Sequence, residues 1–198
     1  MKNEKCGIAQ LCELAMIPHA VTVMVGDPGV GRTTILAAMV RCAAKSGATA
    51  IYATNDETRE DAQRRFAGMS EEAAARVHVD NYPNAYNLFE RALVTGADLV
   101  VLDRPSVPPH RFDDVLRVAK APNFKAATII APSFTKLTFP NWVAPEHTSD
   151  VLIMLSREEN VAGVVATVAK NRCGSRGQRF VFKFTQSGLA IPSIAEAT

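Results

Sequence analysis

The apolar run Val21-Thr-Val-Met-Val25 ends in Gly26-Asp27-Pro28-Gly29-Val30-Gly31-Arg32-Thr33-Thr34 and passes straight into helix-compatible sequence. Three glycines between a buried strand and a helix let the backbone curl so that successive N–H groups face inward. Together with the positive end of the following helix, those donors form a cradle for phosphate. The spacing matches G-x-x-x-x-G-K-[ST] except that Arg32 stands at the lysine position. Residues Gly26 to Thr34 are therefore the candidate triphosphate-binding set. The Thr33 hydroxyl is the candidate Mg²⁺ ligand, with Thr34 as the adjacent alternative.

Other short apolar runs recur along the chain: Ala50-Ile-Tyr-Ala53, Val77-His-Val79, Leu99-Val-Val-Leu102, Ala127-Thr-Ile-Ile-Ala131 and Val151-Leu-Ile-Met-Leu155. Runs without polar alternation suit strands buried on both faces. Between them, Thr33 to Ser46, Thr58 to Gly68, Asn84 to Thr95 and Phe112 to Lys120 carry helical spacing. Strand and helix in alternation predict an α/β fold with a doubly wound, mostly parallel central sheet. After residue 150, Val161 to Ala169 and Phe180 to Phe184 flank the polar stretch KNRCGSRGQR, which predicts an antiparallel C-terminal hairpin. Ile8, Leu11, Cys12 and Ala15 mark a short amphipathic helix within residues 1 to 16, covering either its own core or a neighbouring subunit. No linker separates two halves, so residues 17 to 198 are expected to form one domain.

Charge narrows the partners. Residues 1 to 103 hold 10 basic and 13 acidic residues, whereas residues 104 to 198 hold 12 and 7. A polybasic coat is excluded, and an anionic polymer, if bound, would face the second half. The four cysteines form no C-x-x-C pair, which argues against a zinc site or a disulfide framework. No apolar run of membrane-spanning length or signal peptide is read, so no membrane partner and a cytoplasmic location are expected.

Two acidic positions stand at strand ends. Asp103 closes Leu99-Val-Val-Leu102 and would lie beside the phosphate loop, where it can hold the water shell of Mg²⁺. Asp56 and Glu57 follow the second strand. They are placed either to orient the attacking water of a nucleotide hydrolase or to cap the helix starting near Thr58.

Four segments in order resemble the RecA-fold ATPases of the DnaB replicative helicase and RadA/Sms family: GDPGVGRTT; IYATNDETREDAQRRF; RVHVDNYPNAYNLFERALVTGADLVVLD; and FTKLTFPNWVAPEHTSDVLIML followed by VAKNRCGSRGQ. The likeness spans roughly residues 17 to 185. It implies a RecA-like P-loop fold, with ATP and Mg²⁺ bound at the glycine loop and single-stranded DNA as a partner. It further implies a homo-oligomer, a hexameric ring or a filament. In the family's pattern Asp56 takes the catalytic acid's position, with Glu57 beside it. Lys170 and Arg172 take the positions of basic residues that act in trans on a neighbour's nucleotide. Arg104 and Arg111 (with His110), and Lys136 with Trp142 (within Phe134 to Trp142, including Phe139), fall on the two loops that face DNA.

The departures carry expectations too. Arg32 keeps the charge of the usual lysine but is bulkier and forked, which is compatible with binding and slower turnover. Asp56 is one methylene shorter than the usual Glu, and Pro132-Ser133 replaces a polar sensor. Without the flanking modules of these families the chain resembles an isolated motor core, as expected of a bacterial, phage or mobile-element protein. An ATP-driven DNA motor is the leading expectation. A nucleotide-dependent assembly or loading factor with little turnover is the alternative. A small-molecule kinase fits the length but leaves the KNR hairpin without a role.

Overall fold

The computed structural model describes residues 7–81, 85–105, 107, 111–132, 148–184 and 190–193. In chain order the elements are α1 (Gly7–Ala15), β1 (Val21–Gly26), α2 (Arg32–Lys45), β2 (Ala50–Thr54), α3 (Arg59–Arg64), α4 (Glu71–Ala75), β3 (Val77–Asp80), α5 (Ala85–Thr95), β4 (Leu99–Asp103), α6 (Phe112–Ala119), β5 (Ala127–Ala131), β6 (Val151–Ser156), β7 (Val164–Asn171), β8 (Arg179–Phe184) and β9 (Ala190–Ser193). One sheet contains all nine described strands in the order β3-β2-β4-β5-β1-β6-β7-β8-β9. Pairing is parallel from β3 through β6 and antiparallel from β6 through β9. The expected doubly wound sheet and its antiparallel C-terminal end are both present.

Period-two alternation divides the central strands between two cores. Leu99 and Val101 of β4 and Met24 of β1 face the layer made by α1 and α2. Val100, Leu102, Val21, Val23 and Val25 face the layer made by α5 and α6. Because helices cover both faces, these strands have no solvent side and read as unbroken apolar runs.

The N-terminal helix belongs to this core. Ile8, Leu11, Cys12 and Ala15 are buried with Leu36, Met39, Val40 and Phe182. The single helix expected over 58–68 is instead a six-residue α3, turns, and a separate α4. Gly68 takes a left-handed φ of 75° that ends helical progress, and Ser70 starts α4 by accepting the Ala73 N–H. A ninth strand, β9, extends the expected hairpin into a meander.

Leu11 is fully buried at the centre of α1. Leu11→Ala is expected to lower unfolding free energy by about 2–5 kcal/mol, read as a shifted urea midpoint with unchanged slope. An unchanged midpoint would mean that α1 contributes nothing to the core.

Candidate nucleotide site

Parallel register places four strand ends side by side. Thr54 of β2 pairs with Asp103 of β4, and Asp103 pairs with Ala131 of β5. Gly26 ends β1 on the far side of β5, so the glycine loop and Asp103 share one edge of the sheet. Sequence brings nothing but the loop itself together; the strand order does the rest.

The loop closes tightly onto its surroundings. A Cβ on Gly26 would lie 2.9 Å from both the Leu155 carbonyl oxygen and the Val30 side chain, so β6 can approach only a glycine here. Gly31 sits at the amino end of α2 with φ 101°, and a Cβ there would run into the Phe184 ring. Among the described residues no side chain caps α2, and its first turn carries no acidic residue. The amino-terminal N–H groups and the helix dipole of a fourteen-residue helix are thus left to an anion.

Asp103 is 1% exposed. Its Oδ2 accepts the Tyr52 hydroxyl proton at 2.9 Å, while Oδ1 is buried with no hydrogen-bond partner among the described residues. Burial raises the Asp103 pKa above the usual carboxylate value, against the opposing pull of Thr33, Tyr52 and Arg32. Burial and the Asp103 charge likewise push the Tyr52 phenol well above its ordinary range. A buried carboxylate oxygen without a donor, beside the Thr33 hydroxyl, fits Mg²⁺ or its water shell. The described residues contain no cluster of three or more His, Cys, Asp or Glu side chains, so an all-protein cage is not built among them. Thr33 and Asp103 are the residues that would hold the ion, which would neutralise charge on phosphate oxygens.

Arg32 is buried, and its Nη1 donates to the Pro132 carbonyl oxygen at 2.6 Å. Burial lowers its pKa, and the charges of Asp103 and Asp56 oppose that shift. The guanidinium therefore supplies charge to the site while being fastened to the end of β5.

The two candidate acids are held differently. Glu57, with a side chain 16% exposed, is gripped by Arg65 through contacts of 2.7, 2.9 and 3.0 Å. Asp56 is 48% exposed and pairs with Arg104. Neither caps α3: Thr58 does so, accepting the Asp61 N–H at 3.2 Å. Arg104 follows Asp103 with φ 54° and is held by its own N–H to the Ala131 carbonyl at 2.8 Å. Arg111 lies at the surface against Asp114 and the Tyr86 ring. Lys136 and Trp142, with Phe134, Phe139, His110 and Ser133, lie outside the described residues.

Lys170 and Arg172 stand at the other end of the sheet. Lys170 pairs with Leu152 and Asn171 with Val151, whereas the loop end of β1 is level with Leu155. Lys170 Nζ donates to the Ser149 carbonyl at 2.6 Å, and Arg172 lies 3.7 Å from Asp150. Asp150 also accepts the Val21 N–H at 2.9 Å and the Lys120 ammonium at 2.8 Å, tying the start of β1 to α6 and β7. With a strand rise of about 3.3 Å per residue, Arg172 sits more than about 15 Å along the sheet from the level of Gly26.

Three contributors to this architecture escape sequence reasoning. Tyr52 is a hydroxyl within an otherwise apolar strand, and that break in pattern was its one visible signal. Arg65 and Asp150 act through partners distant in sequence and left no local signature.

No family model and no curated protein matches the chain. Solved structures do match it. A KaiC-like protein from Pyrococcus horikoshii superposes with TM-score 0.69 at 17% identity, covering 89% of this chain and 90% of that one. A DnaB-like replicative helicase gives 0.72 at 12% identity, covering 94% of this chain, which spans 61% of the helicase's length. The RadB recombinase gives 0.60 at 18%, with 87% and 90% covered. The chain has the RecA-like P-loop ATPase fold, in agreement with the resemblance in its motifs. No helix among the described residues is long and apolar enough to cross a membrane.

Asp103→Asn is expected to raise thermal stability of the unliganded chain at neutral pH. Because the folded-state pKa of Asp103 is raised, the folded chain holds this proton more tightly than the unfolded chain. Wild-type stability therefore falls as pH climbs from the ordinary carboxylate range through the raised value. The gain from Asn should be present above that window and absent below it. Melting curves across the window check this, and a gain independent of pH would refute the assignment.

Proposed function

We propose that the chain binds ATP with Mg²⁺ on Gly26 to Thr34 and hydrolyses it as an oligomeric, DNA-dependent motor core. The observation that carries this reading is the amino end of α2 beside Thr33, uncapped among the described residues, with the Oδ1 of Asp103 likewise unpartnered among them. The RecA-like fold shared with a replicative helicase and a recombinase supports it.

Roles follow from position. Backbone N–H groups of the loop and α2 bind the phosphates, and Arg32 adds positive charge. Thr33 and Asp103 would hold Mg²⁺, which supplies charge neutralisation at the phosphate oxygens. Asp56, the more exposed acid, orients water; Glu57 is committed to Arg65 and acts as its neighbour's support. Lys170 and Arg172 lie too far along the sheet to reach their own glycine loop. Any nucleotide they touch belongs to another subunit, which favours a ring or a filament in which they stabilise phosphoryl charge in trans. DNA contact is assigned to Arg111 and to the loop bearing Lys136 and Trp142, on the basic second half of the chain.

A second reading has its own observation. Arg32 is fastened to Pro132 rather than free to follow a phosphoryl group, which favours a nucleotide-dependent assembly or loading factor that turns over slowly.

ATP hydrolysis measured with and without single-stranded DNA separates the two. The motor reading expects DNA stimulation and a loss of about a hundredfold or more in Asp56→Asn. Mixing Asp56→Asn with Arg172→Ala should restore activity, since each variant supplies what the other lacks. Hydrolysis indifferent to DNA refutes the motor. Tight binding with turnover appearing only in Arg32→Lys establishes the assembly factor.

A further inference from the structure

Arg104 occupies a backbone conformation that side chains other than glycine rarely adopt, φ 54°, directly after the candidate metal-holding Asp103. Its N–H bond to Ala131 fixes that turn, and the turn brings the guanidinium across the strand ends to Asp56. The ion pair does not explain the choice of residue. Its two side chains are 30% and 48% exposed, and ion pairs in that range add little to stability. Glycine would suit the backbone better, so the side chain has another use.

The guanidinium itself indicates that use. One terminal nitrogen is engaged by Asp56, while Nε is buried with no hydrogen-bond partner among the described residues. A buried charged donor without an acceptor is costly, and a bound anion would satisfy it. The charge lies within electrostatic reach of Arg32, whose Nη1 is engaged by the Pro132 carbonyl. The cationic role that a P-loop lysine plays toward the terminal phosphates is thus only partly met by Arg32. A second guanidinium stands on the neighbouring strand end, between the candidate metal-holding acid and the candidate water-orienting acid.

We infer that Arg104 is the residue of this chain's own site that recognises the terminal phosphate of a nucleoside triphosphate, bridging it to Asp56 so that triphosphate binding sets the position of that carboxylate. This rests on the nucleotide-site reading above. The rigid fork of arginine serves two acceptors at once, one carboxylate oxygen and one phosphate oxygen, which an ammonium on a flexible stem does not reproduce. It also places Arg104 in the nucleotide site rather than on the DNA-facing surface.

The test compares binding of ADP and of a non-hydrolysable ATP analogue, by titration calorimetry with Mg²⁺, in the wild type, Arg104→Gly and Arg104→Lys. Glycine accepts the left-handed turn, so the first variant keeps the fold, which melting curves confirm. Arg104→Gly is expected to lose about tenfold or more in affinity for the triphosphate analogue, with ADP affinity within about threefold of wild type. Arg104→Lys should recover part of the triphosphate affinity, yet leave kcat for ATP depressed because Asp56 is no longer positioned. Equal loss for both nucleotides, or no loss for either, overturns the inference while leaving the nucleotide site intact. So does a wild type that binds the two with equal affinity. A folded wild type that binds neither overturns the nucleotide site, and this inference with it.

Discussion

Covering both faces of a parallel sheet leaves its strands only their ends for polar chemistry. In β1, β2, β4 and β5 nearly every interior side chain is apolar and buried, because a polar group there would need a partner that neither helical layer offers. Thr22 and Thr128 are the exceptions, buried with hydroxyls that lack partners among the described residues. Gly26, Thr54 with the Asp56 that follows it, Asp103 and Pro132 consequently collect at one edge. Asp150, Lys170 and Arg172 collect toward the opposite end. The molecule has two chemically distinct ends for a reason of solvation, and a trans-acting arrangement of subunits would join one to the other.

At the loop edge, charges are arranged as mutual restraints. Asp103 is kept buried by a tyrosine hydroxyl and by the neighbourhood of Arg32, Glu57 is locked by Arg65, and Asp56 meets Arg104. The desolvation that raises the Asp103 pKa is destabilising in the bare chain, and a bound divalent cation would offset it. Among the described residues, an uncapped helix, a buried carboxylate oxygen without a donor and a buried guanidinium nitrogen without an acceptor are three costs at one site. A bound Mg²⁺-triphosphate would carry charges suited to all three. Local instability of this kind concentrates where binding must be the stabilising event.

Much of this is legible in the sequence. The glycine loop, the strand runs and the acidic strand ends follow from local patterns, since a doubly buried strand and a phosphate-binding turn each demand particular residues within a few positions. The break at Gly68 and Ser70 was readable in principle, because both are helix-ending or helix-starting residues, but the helical period of the flanking sequence masked it. What local pattern did not carry was pairing across distance. Arg65 with Glu57, Arg104 with Asp56 and Asp150 with Val21, Lys120 and Arg172 are products of which elements become neighbours. The KNR segment likewise reads as a hairpin tip in sequence, and only its register against β6 shows that it faces away from its own glycine loop.

The sequence by itself determined the fold class and the chemistry available: a glycine-rich loop at Gly26 to Thr34 between strand and helix, carboxylates at the ends of β2 and β4, and cations near the end of the chain. Those are consequences of backbone conformational limits and of burial, both of which act over a few residues. Tertiary structure alone decided which carboxylate is exposed, that Arg32 is tied to Pro132, and that Arg104 turns toward Asp56. Side-chain partnerships depend on strand order and register, which are set by the packing of the whole sheet against its two helical layers.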